Sequence, residues 1–168
     1  MKSIRIALSL FLLATTVAFA QSPAQKSFDQ LKSLSGNWEG KDAQGKILNV
    51  SFRDTAGGSA LMSEIHGTGP ENMISMFHLD GPNRLLLTHY CGAGNQPRMA
   101  ATASSDGKTI TFEFVDGTNL APPTPGHMQR LVISILDPNR HTEDWTFQGN
   151  GKEMKEFFDL KRTELAQK

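Results

Sequence analysis

The chain has 168 residues, of which 17 are basic and 17 acidic, so its net charge is zero when histidine is neutral. This length favours a single domain with a sizeable core. The sequence contains no basic patch, so it does not indicate a nucleic-acid partner or a polybasic arm for membrane binding. The single cysteine, Cys91, excludes a disulfide bond within the chain.

Residues 1–20 have the features of a cleavable signal peptide. Two basic residues precede an uncharged apolar run over residues 6–17, and Ala18-Phe19-Ala20 satisfies the small-x-small rule for cleavage. The apolar run is too short for a typical membrane span, and the segment has no cysteine to carry a lipid anchor. We therefore expect a mature domain over 21–168, exported to a bacterial periplasm or the medium. The alternative is an uncleaved N-terminal anchor.

A short helix is predicted to open the mature domain. Ser22 can cap it, Pro23 suits the first helical position, and Gln25 can complete a capping box. Phe28 and the leucines that follow it at helical spacing share one face, and a glycine stops the helix at position 36.

From residue 37 onward the hydrophobic period changes to two, which predicts strands. Turn-forming Gly, Asp, Asn and Pro residues separate most of them, so sequence neighbours should pair antiparallel. Such a long meander exposes two edges unless it closes, so we predict an all-β, closed, antiparallel up-and-down barrel of about ten strands. A sandwich is the alternative. The predicted strands are 37–42, 46–54, 59–67, 72–80, 84–91, 96–104, 108–116, 128–136, 140–148 and 152–163.

Alternation along each strand predicts which side chains face the barrel interior. His89 and Cys91 share a face with two leucines, while Tyr90 lies opposite. His141 and Glu143 share the inward face of Trp145. In 72–80 and 128–136 both faces carry apolar residues, so the orientation of Arg130 is left open.

These patterns favour a barrel that binds a small, hydrophobic or amphipathic molecule in an interior site of roughly 300 Å³ or more. Polar groups among the apolar walls would orient a carboxylate or hydroxyl through charge-assisted hydrogen bonds. An inward Glu143 needs a partner such as His141 or an arginine, because an unpaired buried charge is costly. The candidate ligand-binding residues are His89, Cys91, Arg98, Arg130, His141, Glu143 and Trp145.

Three alternatives stay open besides a structural or protein-interaction role, for which the sequence shows no binding motif. The first is that the inward polar side chains satisfy one another in an internal hydrogen-bond network, or that they lie in solvent at the rim of the barrel. The second is a metal or haem site built from the histidines and Cys91, although no metal-binding spacing is present and no cofactor is identified. The third is an enzyme that uses His89 with Cys91, or His141 with Glu143, although residues two apart on a strand lie about 7 Å apart.

The stretch Gly36-Asn37-Trp38-Glu39-Gly40, directly after the predicted helix, resembles the opening of the calycin group, the lipocalins and their relatives. The resemblance implies that Trp38 packs across the closed end of the barrel beside the N-terminal helix.

The whole mature chain resembles a family of bacterial lipocalin-like proteins of unknown function. The matching stretches are Thr88 to Met99 and the His-x-Glu-x-Trp of residues 141–145. The opening is also similar to that of nitrobindin-like haem barrels. Two departures argue against haem: Lys41-Asp42-Ala43 replaces further glycines, and segment 152–163 has no histidine where those barrels carry the iron ligand.

Overall fold

The computed structural model describes residues 21–42, 44–67, 72–120 and 126–163, so the predicted signal peptide lies outside the described residues. Within these ranges no helix is long and apolar enough to cross a membrane. One α-helix, α1 (Pro23–Lys32), precedes the strands, and a short 3₁₀ turn, Ala56–Gly58, follows the second strand. The strands are β1 (Gly36–Lys41), β2 (Ile47–Thr55), β3 (Ala60–His66), β4 (Met73–Leu79), β5 (Leu85–Tyr90), β6 (Gln96–Ala103), β7 (Thr109–Thr118), β8 (Gly126–Asp137), β9 (Arg140–Gly149) and β10 (Lys152–Thr163).

The ten strands form one closed antiparallel barrel. Each strand pairs with its sequence neighbours, and β1 also pairs with β10 through Trp38 opposite Arg162. The predicted barrel is confirmed and the sandwich alternative is wrong, because the β1–β10 pairing leaves the meander without a free edge.

Helix α1 closes one end of the barrel. The Ser22 hydroxyl accepts a hydrogen bond from the Gln25 amide, as the capping pattern predicts. Phe28 and Leu31 are buried in the same core cluster as Trp38. The helix therefore buries its apolar face as a plug.

Trp38 and Arg162 fasten this plug to the barrel wall. The Trp38 indole N–H donates to the Leu34 carbonyl at 2.7 Å, and the Arg162 guanidinium lies 4.2 Å from the centre of the Trp38 ring. Arg162 also donates to the carbonyls of Ser35 and Ser33, at 2.7 and 2.9 Å. Trp38 thus lies beside the N-terminal helix, where the resemblance to the calycin group places it.

A β-bulge in β8 settles the orientation of Arg130. Met128 pairs with Phe147 and Arg130 pairs with Thr146, so Gln129 is the extra residue. The bulge lets Met128 and Leu131 both pack toward the core, although strict alternation would place them on opposite faces. Arg130 consequently points outward.

Alternation predicts most of the remaining interior correctly. Ser75 and Phe77 are buried, which selects the inward face of β4. His89, His141 and Glu143 are also buried. The core is completed by apolar side chains from α1 and the barrel strands, including Leu48, Val50, Phe52, Leu61, Leu85, Leu87, Met99, Ile110, Phe112, Ile133 and Leu160.

Candidate functional site

A cavity of about 150 Å³ reaches into the barrel interior, and we treat it as the candidate site. Apolar side chains from five strands form much of its wall, and polar groups come from β5, β10 and the turn between β1 and β2. Its volume is below the roughly 300 Å³ at which drug-sized ligand sites begin. The site is therefore smaller than the sequence analysis predicts. Its lining residues are Asp42, Gln44, Ile65, Met73, His89, Met128, Trp145, Glu156 and Phe158.

His89 lines the cavity and carries a ring nitrogen that has no hydrogen-bond partner among the described residues. Its Nδ1 is hydrogen-bonded to the Ser75 hydroxyl at 2.9 Å, while its Nε2 is buried with no hydrogen-bond partner among the described residues. Burial lowers the pKa of His89 from 6.5 to about 4, so the imidazole is neutral at pH 7. Such a nitrogen can bind a polar group of a ligand, and Ser75 fixes the plane in which it does so.

Trp145 forms an aromatic wall next to His89. The two ring centroids lie 4.9 Å apart. The indole Nε1 donates to Glu143 Oε2 at 2.8 Å, so the polar edge of the indole is already satisfied. The ring is thereby held in one orientation and presents apolar surface to the cavity.

His141 and Glu143 lie behind this wall and are fully buried. His141 Nε2 lies 3.3 Å from Glu143 Oε1, and the His141 ring packs edge-on against Trp38 at 4.3 Å. The buried carboxylate of Glu143 therefore has two partners, His141 and Trp145, as its burial requires. Neither His141 nor Glu143 lines the cavity, so this pair supports the site from behind.

Glu156 is a site residue that the sequence analysis missed. It pairs with Trp145 across β9 and β10, which places both side chains on the same face of the sheet. Its Oε2 is buried without a hydrogen-bond partner among the described residues. Alternation along β10 could have predicted its inward position, because Glu156 lies in phase with the buried Phe158 and Leu160.

Two of the predicted residues, Arg98 and Arg130, lie away from the cavity. Arg98 donates to Asp116 with its Nε at 2.6 Å, and Arg130 donates to Glu113 at 2.8 Å. Both arginine side chains are about half exposed. The structure thus pairs both arginines with acidic partners elsewhere, and neither reaches the cavity.

Cys91 lies beyond the end of β5, in the turn that joins it to β6. Its amide donates to the Asn95 carbonyl, and it is only partly buried. Burial raises the pKa of its thiol, and a backbone hydrogen bond from Ala93 opposes this in part. Cys91 does not line the cavity, and among the described residues no hydrogen bond joins its thiol to His89, whose Nδ1 is bonded to Ser75 and whose Nε2 has no partner.

Neither a metal nor a haem fits the described residues. No group of three or more His, Cys, Asp or Glu side chains in the described ranges is arranged to hold a metal ion. Drug-sized ligands occupy sites of roughly 300 Å³ or more, and haem is larger than most of them. The cavity of about 150 Å³ is therefore too small for haem. The described part of β10 has no histidine either.

A larger depression of about 780 Å³ lies outside the barrel, between α1 and the turn that joins β6 to β7. It is open to solvent, and many of its lining residues are polar or charged, such as Lys26, Asp29 and Asp106. We therefore assign the candidate site to the smaller interior cavity.

Comparison with known proteins supports the fold. No protein-family model matches the chain, and no curated protein matches its sequence significantly. Among solved structures, the chain is similar to Rv2717c from M. tuberculosis, with a TM-score of 0.60 and 18% sequence identity. The match covers 82% of this chain and 98% of that one. At this identity the similarity shows a shared fold alone, and the closed antiparallel barrel of this chain fits a lipocalin-like fold.

Proposed function

We propose that the mature domain is an exported barrel that binds a small, largely apolar molecule in the cavity beside His89 and Trp145. The observation that carries this proposal is the unpartnered Nε2 of His89, a residue that lines a cavity together with apolar side chains from five strands. An unpaired buried polar atom costs about 1–3 kcal/mol, so a ligand that pairs with it recovers part of that cost.

The size of the cavity limits the ligand. An engineered cavity of about 150 Å³ in another protein holds one benzene molecule. The cavity here has the same volume, about 150 Å³. The proposed ligand therefore has the bulk of one six-membered ring with a short substituent.

The surroundings of the cavity are organised before the ligand arrives. Ser75 holds His89, and Glu143 holds Trp145, each through a buried hydrogen bond. Preorganised side chains lower the entropic cost of binding. This arrangement favours binding over a merely structural polar network, because His89 lines the cavity and keeps one buried ring nitrogen without a hydrogen-bond partner among the described residues.

Native mass spectrometry of the mature protein, with an absorption spectrum of the same sample, tests this function. The proposal predicts a retained small-molecule mass without a Soret band. A haem mass with a Soret band would contradict it. Mass spectrometry of the protein recovered from a periplasmic or secreted fraction also tests export. Cleavage after Ala20 gives a chain that begins at Gln21.

Matched histidine variants locate the bound molecule. His89→Ala removes the unpartnered nitrogen and should lose the retained mass. His66→Ala is the control, because His66 is partly exposed beside Glu64 and does not line the cavity. Loss of the mass in both variants, or in neither, would contradict a site at His89.

A further inference from the structure

The charges around the cavity indicate which polar group its ligand carries. Two acidic residues, Asp42 and Glu156, line the cavity, and no lysine or arginine does so among the described residues. The two arginines among the predicted ligand-binding residues, Arg98 and Arg130, are paired with acids elsewhere. An anionic ligand would therefore meet carboxylates with no cation to balance them.

Glu156 is placed to accept hydrogen bonds from a ligand. Its Oε2 is buried and has no hydrogen-bond partner among the described residues. Asp42 is less available, because its Oδ1 already accepts from the amides of Gln44 and Lys46 in the β1–β2 turn. Glu156 is consequently the acidic residue that most needs a donor.

Trp145 and His89 complete a surface that suits a cation with an apolar body. Trp145 pairs with Glu156 across the sheet, and its ring lies 4.9 Å from that of His89. Tryptophan is the best aromatic partner for a cation, and the neutral imidazole adds no repulsion. Met73, Met128 and Phe158 supply the apolar wall for the rest of the molecule.

We infer that the ligand is a small amphipathic amine, whose ammonium group binds Glu156 and whose apolar body fills the cavity between Trp145 and the methionines. This inference rests on the proposed function and specifies its ligand class. The unpartnered Nε2 of His89 then serves as the second polar contact, to an N–H of the amine.

Isothermal titration calorimetry with four probes of one shape tests the inference. Benzylamine, benzyl alcohol, toluene and benzoate share a benzene ring and differ in the polar group, and benzylamine is protonated at pH 7. We expect benzylamine to bind at least about tenfold more tightly than toluene, because its ammonium group adds a charge-assisted hydrogen bond that toluene cannot make. Benzoate should bind most weakly. Tighter binding of benzoate than of benzylamine would overturn the inference.

Glu156→Gln removes the charge and keeps the shape. It should weaken benzylamine binding about tenfold and leave toluene binding within about threefold. The control is Glu153→Gln, an exposed position of the same strand that does not line the cavity, which should change neither. Unchanged benzylamine binding in Glu156→Gln would overturn the inference.

The outcomes separate the two proposals. If toluene or benzyl alcohol binds and benzylamine has no advantage, the cavity binds ligands but the amine assignment is wrong. If none of the four probes binds to the wild-type protein, the proposed function fails and the amine assignment fails with it. The ranking on the wild-type protein does not depend on whether any variant folds.

Discussion

The indole of Trp145 donates a hydrogen bond of 2.8 Å to the buried carboxylate of Glu143. This bond joins the cavity wall to the pair formed by Glu143 and His141, which lies against Trp38 beside the helical plug. A line of buried polar groups therefore runs from the closed end of the barrel to the candidate site. Its integrity should matter for both stability and ligand affinity.

Glu143→Ala should destabilise the fold by about 2–5 kcal/mol, because it leaves buried donors unpaired and opens a cavity. Trp145 Nε1 and His141 Nε2 are the groups that lose their acceptor. Glu143→Gln should cost less, because its amide oxygen can still accept from the indole. Urea denaturation of the three proteins measures this order. Equal stability of Glu143→Ala and the wild type would contradict the proposed role of the buried line.

Arg162→Lys should destabilise the protein by about 1–3 kcal/mol, because lysine cannot reproduce the guanidinium fork. Arg162 donates to the carbonyls of Ser33, Ser35 and Pro138 and lies over Trp38. The matched control is Arg140→Lys, where the arginine is half exposed and pairs only with Asp159 among the interactions described for it. That control should change the free energy of unfolding by less than about 1 kcal/mol. A larger loss of stability in the control than in Arg162→Lys would contradict this account of the plug.

The stability of the protein should depend on pH through His89. The pKa of His89 is lowered to about 4 in the folded protein, against an ordinary value of 6.5. Protonation therefore favours the unfolded chain. The contribution of neutral His89 to the free energy of unfolding is complete above about pH 6.5. It falls as the pH drops toward 4, and the total loss is about 3 kcal/mol.

His89→Gln tests this pH dependence, because glutamine does not titrate. Carboxylates destabilise both proteins in acid, so the difference between their urea-denaturation profiles from pH 4 to pH 8 isolates the histidine. We expect the loss of stability between pH 6.5 and pH 4 to be smaller in His89→Gln. His66→Gln, at a partly exposed position that does not line the cavity, is the control for replacing a histidine. Parallel profiles for His89→Gln and the wild type would show that His89 is not held neutral by burial.

The double variant Arg98→Gln/Arg130→Gln should bind the probe ligands as the wild type does. Both side chains are paired with acids away from the cavity, at Asp116 and Glu113. Charges this exposed are screened by salt, so we expect ligand affinities within about twofold of wild type at 0.15 M salt. Calorimetry measures them, and a large loss of affinity would return the arginines to the ligand site.

The sequence predicts the barrel well because its information is local. Period-two alternation and turn residues are properties of short segments, and all ten predicted strands match observed strands to within about two residues at each end. The inward positions of His89, His141 and Glu143 follow from the same alternation and are confirmed.

The site is predicted less completely because its geometry depends on contacts between distant segments. The orientation of Arg130 depends on a bulge at Gln129, which exists only in the pairing of β8 with β9. Cys91 falls outside the cavity because β5 ends at Tyr90. The volume of the cavity depends on how side chains from six strands pack, which alternation does not specify. Glu156 could have been predicted from the phase of β10.

The most direct test of the central claim is a titration of the ¹⁵N-labelled mature protein with toluene, benzyl alcohol and benzylamine in turn, followed by NMR. The chain has two tryptophans and hence two indole N–H resonances. Trp145 lines the cavity, and Trp38 lies buried beside the helical plug. We expect at least one probe to shift the Trp145 resonance saturably, while the Trp38 resonance changes little. If none of the three probes moves the Trp145 resonance, the interior cavity is not a ligand site.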